Sequence, residues 1–105
     1  METLQITIHA RDDKRKELLR TCRLITDQTR QESGCKIGRV SHDNGNIITL
    51  EQQWEERFSL DNYFRSNHFS ALLGAMKWLG QTHKVRINGS TQKEGWDGVK
   101  HARGI

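Results

Sequence analysis

Over the first ten residues Leu4, Ile6 and Ile8 alternate with Thr3, Gln5, Thr7 and His9. A period of two marks a strand with one buried face. After Asp13 the period lengthens: Leu18, Cys22, Ile25 and Thr29 recur at helical spacing, reinforced by Leu19. This predicts a long amphipathic helix running to about Glu32. Asp12 or Asp13 stands where a helix N-cap belongs, beside the positive end of the dipole. Gly34 stands where a helix ends in the left-handed conformation.

Residues 35–54 read as a strand, a tight turn and a strand. Asp43-Asn44-Gly45-Asn46 predicts a type I′ hairpin, because Asn44 and Gly45 tolerate positive φ. The first strand loses phase at Gly38, with Ile37 and Val40 on opposite faces, which points to a bulge. The second is apolar on both faces at its start (Ile47, Ile48, Leu50), the pattern of a strand covered on both sides. A short helix follows, with Ser59 or Asp61 as its cap. Ser66-Asn67-His68 interrupts it, and Ser66 or Asn67 caps a second segment whose stripe is Phe69, Leu72, Leu73, Met76 and Leu79. Gly80 stops that segment. Val85 and Ile87, alternating with Lys84 and Arg86, make a fourth strand. Residues 91–105 form a C-terminal arm, a short helix or a loop around Trp96 and Val99.

The order β-α-β-β-α-β predicts an α+β, ferredoxin-like fold over a single domain, residues 1–105. Four antiparallel strands carry two helices on one face and leave the other face bare. A second copy of the chain is the simplest cover for that face. RNA is the other cover this topology uses, by stacking bases on aromatics of the first and third strands. Neither strand carries that aromatic platform here, so nucleic acid is not the expected partner.

Composition supports the need for a partner. The apolar fraction is 33% against 29% charged residues, and a chain this short buries only about 60 to 65% of its unfolded surface. The net charge of +4 is spread along the first helix, Arg11 to Arg30, among acids, as on a solvated face, though some attraction to anions remains. No secretory h-region and no apolar run of 18 residues occur, so a cytoplasmic protein without membrane attachment is expected. Cys22 and Cys35 are then reduced, and Cys22 belongs to the core. The histidines lack ligand spacing, so no metal is expected.

The stretch from Leu50 to Leu73 resembles the antibiotic biosynthesis monooxygenase family of dimeric α+β barrels. The resemblance rests on Trp54 at a strand end, Leu60 six residues later, and Ser66-Asn67-His68-Phe69 beyond it. Glu32-Ser33-Gly34-Cys35, between first helix and second strand, matches a further motif of the family. The likeness spans residues 3–90. Gln52 stands where the family usually has Glu, and Tyr63 where it has His. Leu50 replaces the Asn of quinol-oxidising members. In the heme-degrading branch a Trp replaces Tyr63 and an iron-binding His replaces Leu73. Leucine ligates no iron, so heme degradation is not expected.

The resemblance implies a homodimer that oxygenates a quinol or polycyclic phenol without metal or flavin, the substrate itself supplying electrons to O₂. A protein doing this must bind an aromatic ring, help remove a hydroxyl proton, and stabilise the resulting anion in a dry pocket. His68 is the candidate base, since imidazole titrates near neutral pH; capping the second helical segment is its structural alternative. Tyr63 either holds a substrate oxygen or packs beside Phe64. Trp54 either stacks on the substrate or belongs to the core, and Gln52 shares its strand face and offers an amide. Leu50, Phe64 and Leu72 complete the apolar wall. The expected pocket lies between the sheet and the second helix. A non-catalytic ligand-binding or regulatory barrel of the same fold is the alternative.

Overall fold

The computed structural model of the protein describes residues 1–89 and 92–104. The chain runs β1 (Glu2–Ala10), α1 (Arg15–Thr29), β2 (Cys35–His42), β3 (Ile47–Trp54), α2 (Arg57–Phe64), α3 (Asn67–Leu79), β4 (Gly80–Ile87) and α4 (Gln92–Arg103). The strands form one antiparallel sheet in the order β2-β3-β1-β4. This is the ferredoxin-like α+β arrangement. The interrupted helix is two helices, α2 and α3, and the C-terminal arm is a fourth. Thr91 and Ile105, at the two ends of that arm, lie outside the described residues.

The alternation in β1 sets the core. Leu4, Ile6, Ile8 and Ala10 are fully buried, facing Ile48, Leu50, Gln52 and Trp54 of β3 and Val85 and Ile87 of β4. Against them pack Leu18, Cys22 and Ile25 of α1 and Phe69, Leu72 and Met76 of α3. Cys22 is core, and burial pushes its thiol up to about 12.

Several local signals resolve differently. The α1 helix starts at Arg15 after Lys14, and neither Asp12 nor Asp13 caps it; Asn46 donates to Asp12 instead. It ends at Thr29, short of Glu32, and Gly34 takes its positive φ of 86° in the turn beyond. The hairpin is not type I′, because Asn44 and Gly45 both keep negative φ. Asp43 replaces that geometry: its Oδ1 accepts from the N–H groups of Gly45 (2.9 Å) and Ile47 (3.1 Å), an Asx-type turn. The irregularity in β2 falls between Cys35 and Ile37, just before Gly38, and leaves Ile37 and Val40 on opposite faces as expected. Ser59 and Asp61 lie inside α2, which opens at Glu56, and Ser66 caps α3 by accepting from the Phe69 N–H at 3.2 Å.

The uncovered face is polar, not the broad apolar patch suggested by a bare sheet. One row across it reads Arg39, Glu51, Gln5, Arg86, and the next Ser41, Thr49, Thr7, Lys84. Ile37 and Ile47, both half-buried, are its apolar members.

Candidate functional site

The end of β3 places Gln52 and Trp54 two residues apart, so both point inward toward the helices. The α2 helix then returns over that strand end and brings Tyr63 onto Trp54. Their rings stack with centroids 4.9 Å apart and 27° between planes. The indole Nε1 donates to Gln52 Oε1 at 3.0 Å, and Gln52 Nε2 donates to the Tyr63 hydroxyl at 3.2 Å. One amide therefore ties both aromatic groups together. Phe69 meets Tyr63 edge-on at 5.3 Å and Phe64 at 5.1 Å, extending the ring cluster to the α2–α3 junction.

Trp54, Tyr63, Phe64 and Leu72 are completely buried, and Leu50 and Gln52 nearly so. Trp54, Tyr63, Gln52, Leu50, Phe64 and Leu72 thus share one buried interior, while His68, expected on the same wall, does not join them. Burial pushes the Tyr63 hydroxyl up to about 12; hydrogen bonds from Gln52 and Thr29 pull it back, and the Glu32 and Cys35 charges push it further up. A phenol so placed stays protonated near neutral pH, so it acts as a hydrogen-bonding group and not as a base.

His68 lies apart from these rings. It sits in the first turn of α3, but Ser66 is the cap, so its imidazole is not used for capping. Its Nδ1 is 2.8 Å from Glu32 Oε1, in a half-buried pair between the end of α1 and the start of α3. Glu32, Asn67 and His68 line an open cleft of about 200 Å³. The structure does not bring His68 against Trp54 or Gln52. It brings Glu32 between: the carboxylate bonds His68, and its charge reaches the Tyr63 hydroxyl. Glu32 and Thr29 border the site but were not among the residues expected to form it. Thr29 reads as a stripe residue, and Glu32 as part of a turn motif; only folding sets α1's end beside α2 and α3.

Larger clefts lie elsewhere. One of about 260 Å³ runs between α1 and β2, lined by Arg23, Thr26, Asp27, Arg30 and Val40. Another of about 310 Å³ sits among Asp12, Asp13, Arg15, Lys16 and Asn46. Neither adjoins the aromatic cluster. Among the described residues, no group of three or more His, Cys, Asp or Glu side chains could hold a metal ion. Among those residues no helix is long and apolar enough to cross a membrane.

A family model described as antibiotic biosynthesis monooxygenase matches residues 1–74. Among curated proteins no match is found. Solved structures share the fold. An antibiotic biosynthesis monooxygenase superposes with a TM-score of 0.76 at 19% identity, over 87% of this chain and 99% of that one. A conserved protein from Methanosarcina mazei gives 0.75 at 22% identity, over 82% and 88%. A protein from Pseudomonas aeruginosa gives 0.74 at 24% identity, over 82% and 89%.

Proposed function

The chain belongs to the antibiotic biosynthesis monooxygenase family, and on that premise we propose that it oxidises a quinol or polycyclic phenol with O₂, without a cofactor, as a homodimer. The observation that carries this reading is an accessible imidazole bonded to Glu32, whose charge in turn reaches the enclosed aromatic and amide cluster through the Tyr63 hydroxyl. His68 takes the substrate hydroxyl proton at the cleft. The phenolate, once formed, is electron-rich enough to reduce O₂ directly. One oxygen atom ends as a quinone carbonyl on the ring and the other leaves as water. The two hydrogens of that water come from the hydroxyl and from the oxidised ring carbon, so no external reductant is needed. Trp54 and Tyr63 offer ring faces for stacking, Gln52 and the Tyr63 hydroxyl offer hydrogen bonds to the developing oxyanion, and Leu50, Phe64 and Leu72 exclude water.

The filled interior favours a second reading. The polar atoms of Gln52 and the Tyr63 hydroxyl already satisfy one another, so a ring must displace a side chain to enter. A non-catalytic barrel, regulatory or ligand-binding, needs no such access. Oxygen uptake with a panel of quinols and polycyclic phenols, and no added cofactor, separates the two. Under the catalytic reading uptake is substrate-dependent, and His68→Ala lowers turnover about 10²- to 10⁴-fold with the fold retained. Absence of uptake across the panel gives the case to the second reading, whereas uptake with a His68→Ala enzyme as fast as the parent keeps catalysis and removes His68 as the base.

A further inference from the structure

Resting on the reading of His68 as the base, we infer that Glu32 is its positioning residue, holding the imidazole proton on Nδ1 so that Nε2 is the atom left to accept a proton from substrate. A carboxylate only accepts hydrogen bonds when ionised, so Nδ1 at 2.8 Å from Glu32 Oε1 must be the donor. In the neutral ring the other nitrogen is then the base.

The turn that carries Glu32 is pinned on several sides. Its own N–H donates to Thr29 O at 2.9 Å, and its carbonyl accepts from the Cys35 N–H at 3.1 Å. Gly34, two residues on, adopts φ of 86° and lies so close to α2 that a Cβ there would sit 2.3 Å from Ser59 Oγ. The Gly34 carbonyl accepts from the Glu55 N–H at 2.8 Å, fastening the turn to the end of β3. The carboxylate is therefore presented to α3 from a backbone tied to α1, α2 and β3 together. This is the support that a base needs to keep its proton on the right nitrogen.

The location costs the protein elsewhere, which argues against an incidental ion pair. Glu32 follows the C-terminal end of α1, where the negative end of the helix dipole repels a carboxylate. His68 is the partner that offsets this repulsion, and the two share the one cleft.

The test reads tautomer and turnover separately. Nitrogen-15 NMR of His68, at a pH high enough to keep the ring neutral, is expected to show the Nδ1–H form in the parent. In Glu32→Gln the tautomers mix, kcat falls about 10- to 100-fold, and KM stays nearly unchanged. Glu32→Asp, which keeps the charge on a shorter arm, recovers part of both. An Nε2–H tautomer in the parent overturns the inference. So does a Glu32→Gln protein with unaltered tautomer and turnover while His68→Ala is inactive, and in that case the base itself stands. A fully active His68→Ala protein removes the base, and with it any positioning role for Glu32.

Discussion

Tyr63 is the residue of the aromatic cluster whose ionisation folding changes. In water its hydroxyl ionises near 10, and inside the protein burial raises this to about 12. The folded state therefore holds the phenolic proton more tightly than the unfolded chain does. The stability this confers is fully present below pH 10 and is lost as pH climbs from 10 through 12. Two pH units correspond to about 2 to 3 kcal/mol. Cys22, raised from 9.0 to about 12 by burial, acts with the same sign and begins to weigh from pH 9. Urea denaturation at stepped pH is expected to show stability falling across pH 9 to 12. Tyr63→Phe should remove the tyrosine share of that fall while costing about 1 to 3 kcal/mol at pH 7, because Gln52 Nε2 loses its acceptor. A slope unchanged in Tyr63→Phe would show that the hydroxyl is not buried as described.

At the scale of elements, two helical glycines separate helix propensity from docking. Gly74 in α3 has nothing within 4 Å of where a Cβ would lie. Gly95 in α4 is different: a Cβ there would come within 2.1 Å of the Val85 carbonyl. That close approach is what lets α4 lie along β4, with Val99 and Ala102 buried and Trp96 edge-on to His83. Arg103 extends the attachment by donating to the Phe64 carbonyl at 2.5 Å, and Arg65 donates back to the Ala102 carbonyl at 3.1 Å. Alanine is a better helix former than glycine by about 1 kcal/mol. Gly74→Ala is accordingly expected to raise the thermal midpoint, and Gly95→Ala to lower it by forcing α4 off the strand. The two midpoints moving the same way would contradict the docking geometry. From the sequence α4 showed only weak periodicity, since its two glycines dilute a pattern that contact with β4 restores.

For the whole molecule, the open sheet face is the surface on which a second copy is expected to dock. Its rows of Arg39, Glu51, Gln5 and Arg86 suit charge and hydrogen-bond pairing more than a greasy seal, with Ile37 and Ile47 as the apolar anchors. A homodimer built face to face is expected to sediment as such at micromolar concentration. The neighbouring isoleucines of β3 then part company. Ile48 is fully buried under the helices, and Ile48→Lys should unfold the chain. Ile47 is half-buried on the open face, and Ile47→Lys should yield a folded monomer by sedimentation and circular dichroism. A parent chain that sediments as a monomer would sink the face-to-face dimer. One residue of register separates the two outcomes, because successive strand side chains point to opposite faces.

Period and spacing by themselves determined the strand and helix order, the buried faces of β1, α1, α3 and β4, and the break at Ser66. Each follows from local geometry repeated often enough to leave a pattern: two residues per strand repeat, 3.6 per helical turn. They also marked Trp54, Tyr63 and His68 as neighbours in the chain. Tertiary structure alone decided that Trp54 and Tyr63 are sealed inside through Gln52 while His68 faces a cleft, and that Glu32, 36 residues earlier, is the group His68 touches. It likewise chose Asp43 over a type I′ turn and Ser66 over His68 as a cap. Such choices compare nearly equal local options. Packing that closes only when distant elements meet selects among them, and a reading along one chain does not contain that closure.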